Sequence, residues 1–229
     1  MLEVTPIPLE AEAPATTSII ELTNRAPSPA ALQIRIYRWT QNQGEDELNP
    51  TKDVVLSPPI TTIAAGATQV VRVVRVTAAP LQEEEAYRVM VDELPVSGAK
   101  ERPVAHSVHI QMQYLLPVFY TPSKNITAPP KLSWTLARLT GDKWNLVVKN
   151  SGGRRERVSA LNLQQKNSKT RIQPFQKDTL VGYVLAGQTR HWPVTLPKNF
   201  PSTPGATAEL TYQSDSGPTS AELMLIAGP

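Results

Sequence analysis

The chain contains no cysteine, which excludes disulfide bonds, thiol nucleophiles and cysteine-ligated zinc together. Histidine is nearly as scarce, at three residues. His106 and His109 lie three apart, a spacing that sends them to opposite faces of a strand, so a shared metal ion is not expected there. Long apolar runs are missing as well. The least charged stretch, Pro103 to Ser123, contains His, Gln and Pro and cannot cross a bilayer as a helix, so no membrane insertion is expected. There is no glycine-rich phosphate loop and no nucleophile elbow. The carboxylate run Glu83-Glu84-Glu85 reads as a solvated loop before a strand rather than an acid–base pair, which needs two differentiated environments. Together these absences predict a protein without cofactor and without catalysis.

Proline and strand-forming residues are plentiful by contrast. The 229 residues include 22 prolines, and Val, Ile and Thr recur in short runs, the composition of short strands separated by turns. That length accommodates two domains with a core each. Charge divides unevenly near Tyr120: residues 1–120 hold 9 Lys and Arg against 14 Asp and Glu, a balance of −5, whereas residues 121–229 hold 14 against 6, a balance of +8. No aromatic-rich recognition motif accompanies the basic half, and Arg154-Arg155-Glu156-Arg157 follows a glycine turn without one. A solvated basic face is therefore expected, and nucleic acid is not an expected partner.

Seven strands are predicted in the first half: Leu2 to Glu10, Ser18 to Asn24, Ala31 to Trp39, Lys52 to Ser57, Thr68 to Val76, Ala86 to Leu94 and Val104 to Tyr120. Alternation in the third places Leu32, Ile34 and Ile36 on one face, so Ile34 should be core. Turn residues at Asn42-Gln43-Gly44, Pro58-Pro59, Gly66 and Gly98 separate the runs. This pattern matches an immunoglobulin-like sandwich, with a closed barrel as the structural alternative. Thr121-Pro122-Ser123-Lys124 and Pro129-Pro130 read as a linker, dividing the chain into domains 1–121 and 122–229; a second, less regular all-β sandwich follows.

The seventh strand has an unguarded character. Val108, Ile110, Met112, Tyr114 and Leu116 alternate with His109, Gln111, Gln113, Leu115 and Pro117, and no Asp, Glu, Lys or Arg occurs between Arg102 and Lys124. Edge strands normally carry charge, proline or bulges against unwanted pairing, so this strand is either an ordinary core strand or a template for strand addition.

The segments Ile36 to Gln41, Ser57 to Arg75, Ala86 to Pro95 and Gln111 to Pro122 resemble, in order, the first domain of periplasmic pilus-assembly chaperones of the chaperone–usher pathway. The resemblance implies two immunoglobulin-like sandwiches in a boomerang arrangement with an interdomain cleft. It also implies donor-strand complementation, in which the chaperone fills the groove of a pilus subunit that lacks its last strand and passes it to an outer-membrane usher. Val108, Ile110 and Met112 map onto the donor positions, with Tyr114 and Leu116 following as far as Pro117, which lacks an N–H and should end regular pairing.

The usual anchor for the subunit's terminal carboxylate, one basic residue on the first strand and one late on the seventh, is absent: no Lys or Arg precedes Arg25, and the seventh strand ends Leu115-Leu116-Pro117. The chain is in this respect similar to the archaic or alternative branch, and the resemblance makes Arg88 on the sixth strand the candidate replacement, facing away from a core expected of Tyr87, Val89 and Val91. The resemblance implies a periplasmic location; the chain opens Met1-Leu2-Glu3 on a strand pattern, so a secretion leader is expected to have been removed already. An unguarded edge also admits self-association of the free form, and a cis bond at Pro58 or Pro59 is a further expectation of the resemblance. The competing reading is a two-domain immunoglobulin-like pilus or adhesion component that receives strands or binds carbohydrate, for which Tyr37 with Trp39 is the sole aromatic hint.

Overall fold

The computed structural model describes residues 1–77, 79–95, 111–123, 128–165, 171–172, 174–175, 179–197, 200 and 205–226. Up to residue 123 these form Leu2–Thr5 (β1), Leu9–Glu12 (β2), Thr17–Asn24 (β3), Ala30–Asn42 (β4), Glu45–Pro50 (β5), Val54–Ser57 (β6), Ile60–Ile63 (β7), Thr68–Arg75 (β8), Glu85–Leu94 (β9) and Gln113–Thr121 (β10). Two sheets result, one in the order β1-β3-β8-β6 and one in the order β2-β10-β9-β4-β5, with β7 paired to β4. Period-2 alternation turns Ile20, Leu22, Val71 and Val73 of the first sheet inward against Leu32, Ile34, Tyr87, Val89 and Val91 of the second, none more than 1% exposed. This is a β-sandwich, and Ile34 lies in its core.

Several strands differ from the expected ones for reasons the backbone supplies. The predicted run Leu2 to Glu10 is two strands, because Pro6 and Pro8 have no N–H to continue a ladder; β1 pairs with β3 in one sheet, and β2 pairs with β10 in the other. β5 forms from the polar sequence Glu-Asp-Glu-Leu-Asn-Pro, and β7 follows directly on Pro58-Pro59. β5 is held by pairing with β4, which overrides its weak local propensity, whereas Ile60–Ile63 is four β-branched residues that pair with β4 at Ala30 to Gln33. The Ser57–Pro58 peptide is cis, as are Thr5–Pro6, Ile7–Pro8 and Ala13–Pro14. Of the predicted strand Val104 to Tyr120, residues 104–110 lie outside the described residues, and the remainder is β10.

The chain divides into two compact units, one of Met1–Trp39, Leu48–Leu81 and Glu85–Ser123 and one of Thr40–Glu47, Gln82–Glu84 and Lys124–Pro229. Strands of the second unit are Leu132–Arg138 (β11), Lys143–Asn150 (β12), Glu156–Gln165 (β13), Arg171–Ile172 (β14), Leu180–Val184 (β15), Thr189–Thr195 (β16), Thr207–Ser214 (β17) and Gly217–Ile226 (β18). They join in the order β14-β13-β17-β18-β11-β12-β16, with β15 on β13. The register of β13 shifts between Ser159 and Asn162, where Ala160 adopts φ +49; β13 pairs with β15 from Glu156 to Ser159 and with β17 from Ser159 to Gln165. Trp134, Leu136, Leu146, Val148 and Trp192 thereby meet Val158, Leu163, Leu210 and Tyr212 in one core.

Each unit closes a strand end with a buried asparagine. The Asn24 amide donates to the carbonyls of Ser28 and Ile63 at 2.8 and 3.0 Å while its oxygen accepts from Ala26 N–H. Asn150 does the same in the second unit, donating to Arg154 and Val184 carbonyls and accepting from Lys131 and Gly152 N–H. Both amides are satisfied on both ends, as burial requires. Gly44, at the β4–β5 turn, has φ +85, and a Cβ there would strike the His191 ring, so a side chain is barred by both backbone and space.

Candidate functional site

β10 has β9 on one side along its whole length, from Gln113 opposite Asp92 to Tyr120 opposite Glu85. Its other side is only half covered: β2 pairs, in parallel, with Val118 to Thr121. Among the described residues no strand pairs with Gln113 to Pro117 on that flank.

Two hydrogen bonds fix which backbone groups face it. The Met112 carbonyl accepts from Glu93 N–H at 3.2 Å, toward β9, and the Thr121 carbonyl accepts from Ala13 N–H at 2.9 Å, on the β2 side. Backbone groups of consecutive strand residues point to alternate sides. Gln113 and Leu115 therefore present both N–H and C=O to the unpaired flank, and Pro117 presents a C=O alone. The proline removes only an N–H that β9 never uses, which is why it is tolerated within a sheet.

The side chains of the predicted row change character along the strand. Leu116 is 3% exposed and belongs to the first core, and Tyr114 packs against that core with its hydroxyl 3.4 Å from the Leu2 carbonyl. Met112, on the same face but past the end of the core, is 46% exposed. Leu116 and Tyr114 thus face their own sandwich rather than offering themselves wholly to a partner, because the facing β1 and β3 already cover them. Val108 and Ile110 lie outside the described residues. On the opposite face Leu115 is 43% exposed and Gln113 donates to Asp92 at 2.5 Å. That hydrogen bond, joined by one from Arg35, holds the Asp92 carboxyl below its usual range.

Arg88 sits opposite Pro117, at the limit of the unpaired run, on the face away from Tyr87, Val89 and Val91. Its guanidinium carbon lies 3.6 Å above the ring of Trp39, which is buried against Phe119 at 5.9 Å between centroids. A guanidinium over an aromatic face is held by cation–π attraction, and its fork of N–H donors matches a planar acceptor such as a carboxylate. Nothing in the spacing of the sequence pointed to Trp39 as the support for Arg88; the signal was available in their shared face, since β4 pairs Tyr37 with Arg88.

Behind the site lies a buried polar network. Arg75 donates to both oxygens of Glu85, at 2.8 and 3.0 Å; Tyr87 donates to Glu85 at 2.9 Å and accepts from Arg38 at 2.7 Å. Burial pushes the Glu85 carboxyl up, but the hydrogen bonds from Arg75 and Tyr87 and the charges of Arg38 and Arg75 outweigh it and leave its pKa below the usual value. Burial raises the Tyr87 phenol and pushes that of Tyr120 up to about 12. The expectation of a solvated Glu83-Glu84-Glu85 loop is thereby corrected. Glu85 is in this network, and Glu84, with its side chain 3% exposed, accepts from Arg155 at 2.6 Å within the second unit. Two charge runs that looked separately solvated in sequence meet each other in the fold. No group of three His, Asp or Glu among the described residues is placed to hold a metal ion.

Residues 1–125 match the family model described as pili and flagellar-assembly chaperone, PapD N-terminal domain. No curated protein matches the chain by sequence. Among solved structures, the chain is similar to the CsuC–CsuE chaperone–tip adhesion subunit pre-assembly complex from the archaic chaperone-usher Csu pili of Acinetobacter baumannii, with 25% identity, TM-score 0.73 and 99% of each chain covered. It shares its fold with the SafA pilin–SafB chaperone complex of Salmonella enterica, at 16% identity and TM-score 0.60 over 96% of this chain and 95% of the other. The CupB2 chaperone of Pseudomonas aeruginosa also has this fold, at 14% identity and TM-score 0.56 over 96% and 98%.

Proposed function

The chain belongs to the pili and flagellar-assembly chaperones, and from that premise we propose that it binds, folds and caps pilus subunits in the periplasm by donor-strand complementation and delivers them to an outer-membrane usher. The observation that carries this reading is the flank of β10 from Gln113 to Pro117, which has no strand partner among the described residues, within a sequence that has no charged side chain between Arg102 and Lys124. A subunit whose own sandwich lacks a strand has the matching deficit, a groove bordered by unpaired N–H and C=O groups. Each deficit satisfies the other through main-chain hydrogen bonds.

Val108, Ile110 and Met112 enter the subunit groove, where each buried apolar side chain contributes roughly 1.5 to 3 kcal/mol before ordering costs. Tyr114 and Leu116 continue the row into the chaperone's own core and hold the strand straight at its base. Arg88 grips the subunit's terminal carboxylate with two parallel hydrogen bonds at the level of Pro117, which sets where the added strand ends. The action is stoichiometric capture, with no bond made or broken, and needs neither cofactor nor metal. The likeness to the archaic chaperone–tip adhesion subunit pre-assembly complex, at 25% identity over 99% of each chain, supports the reading.

Secretion of the chain together with a pilus subunit lacking its last strand should yield a soluble one-to-one complex. Ile110→Arg and Met112→Arg should each abolish it while the free chain stays folded; survival of the complex with both variants overturns the donor-strand assignment. Arg88→Ala should weaken capture without lowering the melting temperature, and unchanged capture removes Arg88 from the site.

A further inference from the structure

The opposite face of the same strand carries a second feature that complementation through Val108, Ile110 and Met112 does not use. Leu115 is 43% exposed and points outward, away from the first core that buries Leu116. In register it stands beside Met90 of β9, which in turn stands beside Arg35 of β4, forming one row across three strands. Met90 is half-buried, with its sulfur 3.3 Å from Arg35 Nη2. Arg35 is itself held in place by Asp92 at 2.7 Å and lies over the Tyr37 ring at 6.0 Å. The row therefore ends toward β10 in an apolar side chain and is closed on the far side by a fixed cation.

A strand added beyond β10 continues every row of the sheet by one residue, because side chains alternate between the two faces and directly opposite residues touch. Leu115 is also one of the two residues whose N–H and C=O both face the unpaired flank, so a paired strand necessarily places a residue alongside it. We propose that this outward neighbour is an apolar side chain of the subunit, packed on Leu115 and through it on Met90, and that Leu115 is a specificity-determining residue for which subunit strands the chaperone accepts. The inference rests on the strand-addition reading above. The subunit strand is accordingly apolar at three successive positions next to Tyr114, Leu115 and Leu116, inward, outward and inward, where a strand with a wet outer face would simply alternate. An outward Asp, Glu or Lys at the middle position is rejected, since it would be desolvated against Leu115 with no partner in reach.

The test uses the full chain secreted with a last-strand-deficient pilus subunit of the same genome as probe, and reads the amount of one-to-one complex and its dissociation constant. Leu115→Asp should weaken the complex by about tenfold or more, and Leu115→Met should restore most of it. The melting temperature of the free chain should not move with either change, because the side chain is exposed there. Leu115→Lys combined with Glu scanned through the last ten positions of the subunit should be rescued at one outward position only. Wild-type affinity for Leu115→Asp, alongside loss of the complex with Met112→Arg, overturns the inference and leaves the donor strand intact; survival with both removes the donor strand as well. Rescue at no position, or at several, overturns the assigned contact.

Discussion

The sheet that carries β10 ends in two very different ways. At one end β5 presents Glu45, Asp46, Glu47 and Pro50, three carboxylates and a proline in six residues. At the other, Gln113 to Pro117 carries no charge on either face, with Leu115 exposed. Among the described residues both stretches have one flank without a strand partner, so geometry alone makes them equal candidates for pairing with a foreign chain. Composition separates them: charge and proline on an edge raise the cost of docking another strand, and β5 has the protection that β10 lacks. Suppressed edge pairing at one margin and its availability at the other is the contrast on which the proposed strand addition rests.

Transferring the guard is the most direct way to break this contrast. Gln113→Pro deletes an N–H aimed at the unpaired flank and none that β9 uses, so the free chain should remain folded while the co-secreted subunit is lost from the purified complex. Retention of the subunit at wild-type yield would mean that main-chain pairing on this flank is not the basis of capture.

A change behind both margins should affect them alike. Glu85→Gln leaves the Arg75 guanidinium, whose side chain is 6% exposed, without its charged partner, and should destabilise the first unit by about 3 kcal/mol in denaturant unfolding. Because the folded-state pKa of Glu85 is depressed, its ionisation stabilises the fold fully above the unfolded carboxylate pKa, and that contribution is lost as pH falls through the lower folded value. The wild-type chain should therefore lose stability on acidification over that window more steeply than Glu85→Gln does; parallel curves would show that the pair contributes nothing.

Removing protection from β5 should have the smallest effect. Glu47→Val combined with Pro50→Thr should produce a weak, concentration-dependent self-association, measured by sedimentation, that wild type does not show. Glu45 and Asp46 are left in place because both lie within 3.3 Å of Arg190. A strictly monomeric double variant would indicate that the missing flank of β5 is protected by something other than its sequence.

The core strands and the special character of β10 are readable from residues alone, because alternation and the charge gap between Arg102 and Lys124 are local signals. Arg88 pointing away from Tyr87, Val89 and Val91 follows from the same parity. What could not be read was long-range. β5 lacks intrinsic strand propensity and exists through pairing with β4, and the short β7 stands apart from its neighbours only because it pairs with β4 directly after Pro58-Pro59. The cover that β2 places over Val118 to Thr121 joins residues more than a hundred positions apart. The Glu84–Arg155 pair joins two charge runs, each of which looked solvated by itself. The burial of Tyr114 and Leu116 depends on how far along β10 the first core extends, a length that side-chain periodicity does not encode.

The parallel pairing of β2 with β10 has a mechanical consequence. Period-2 patterning cannot distinguish a foreign strand in its intended alignment from one displaced by two residues, since both keep the same side chains on the same face. A displacement toward Val118 is blocked, because Leu9 to Glu12 already occupies that lane and Pro117 offers only a carbonyl, with no N–H, at the junction. On the donor-strand reading proposed above, β2 would act as a buffer at the end of the track, positioning the incoming chain by collision as much as by affinity.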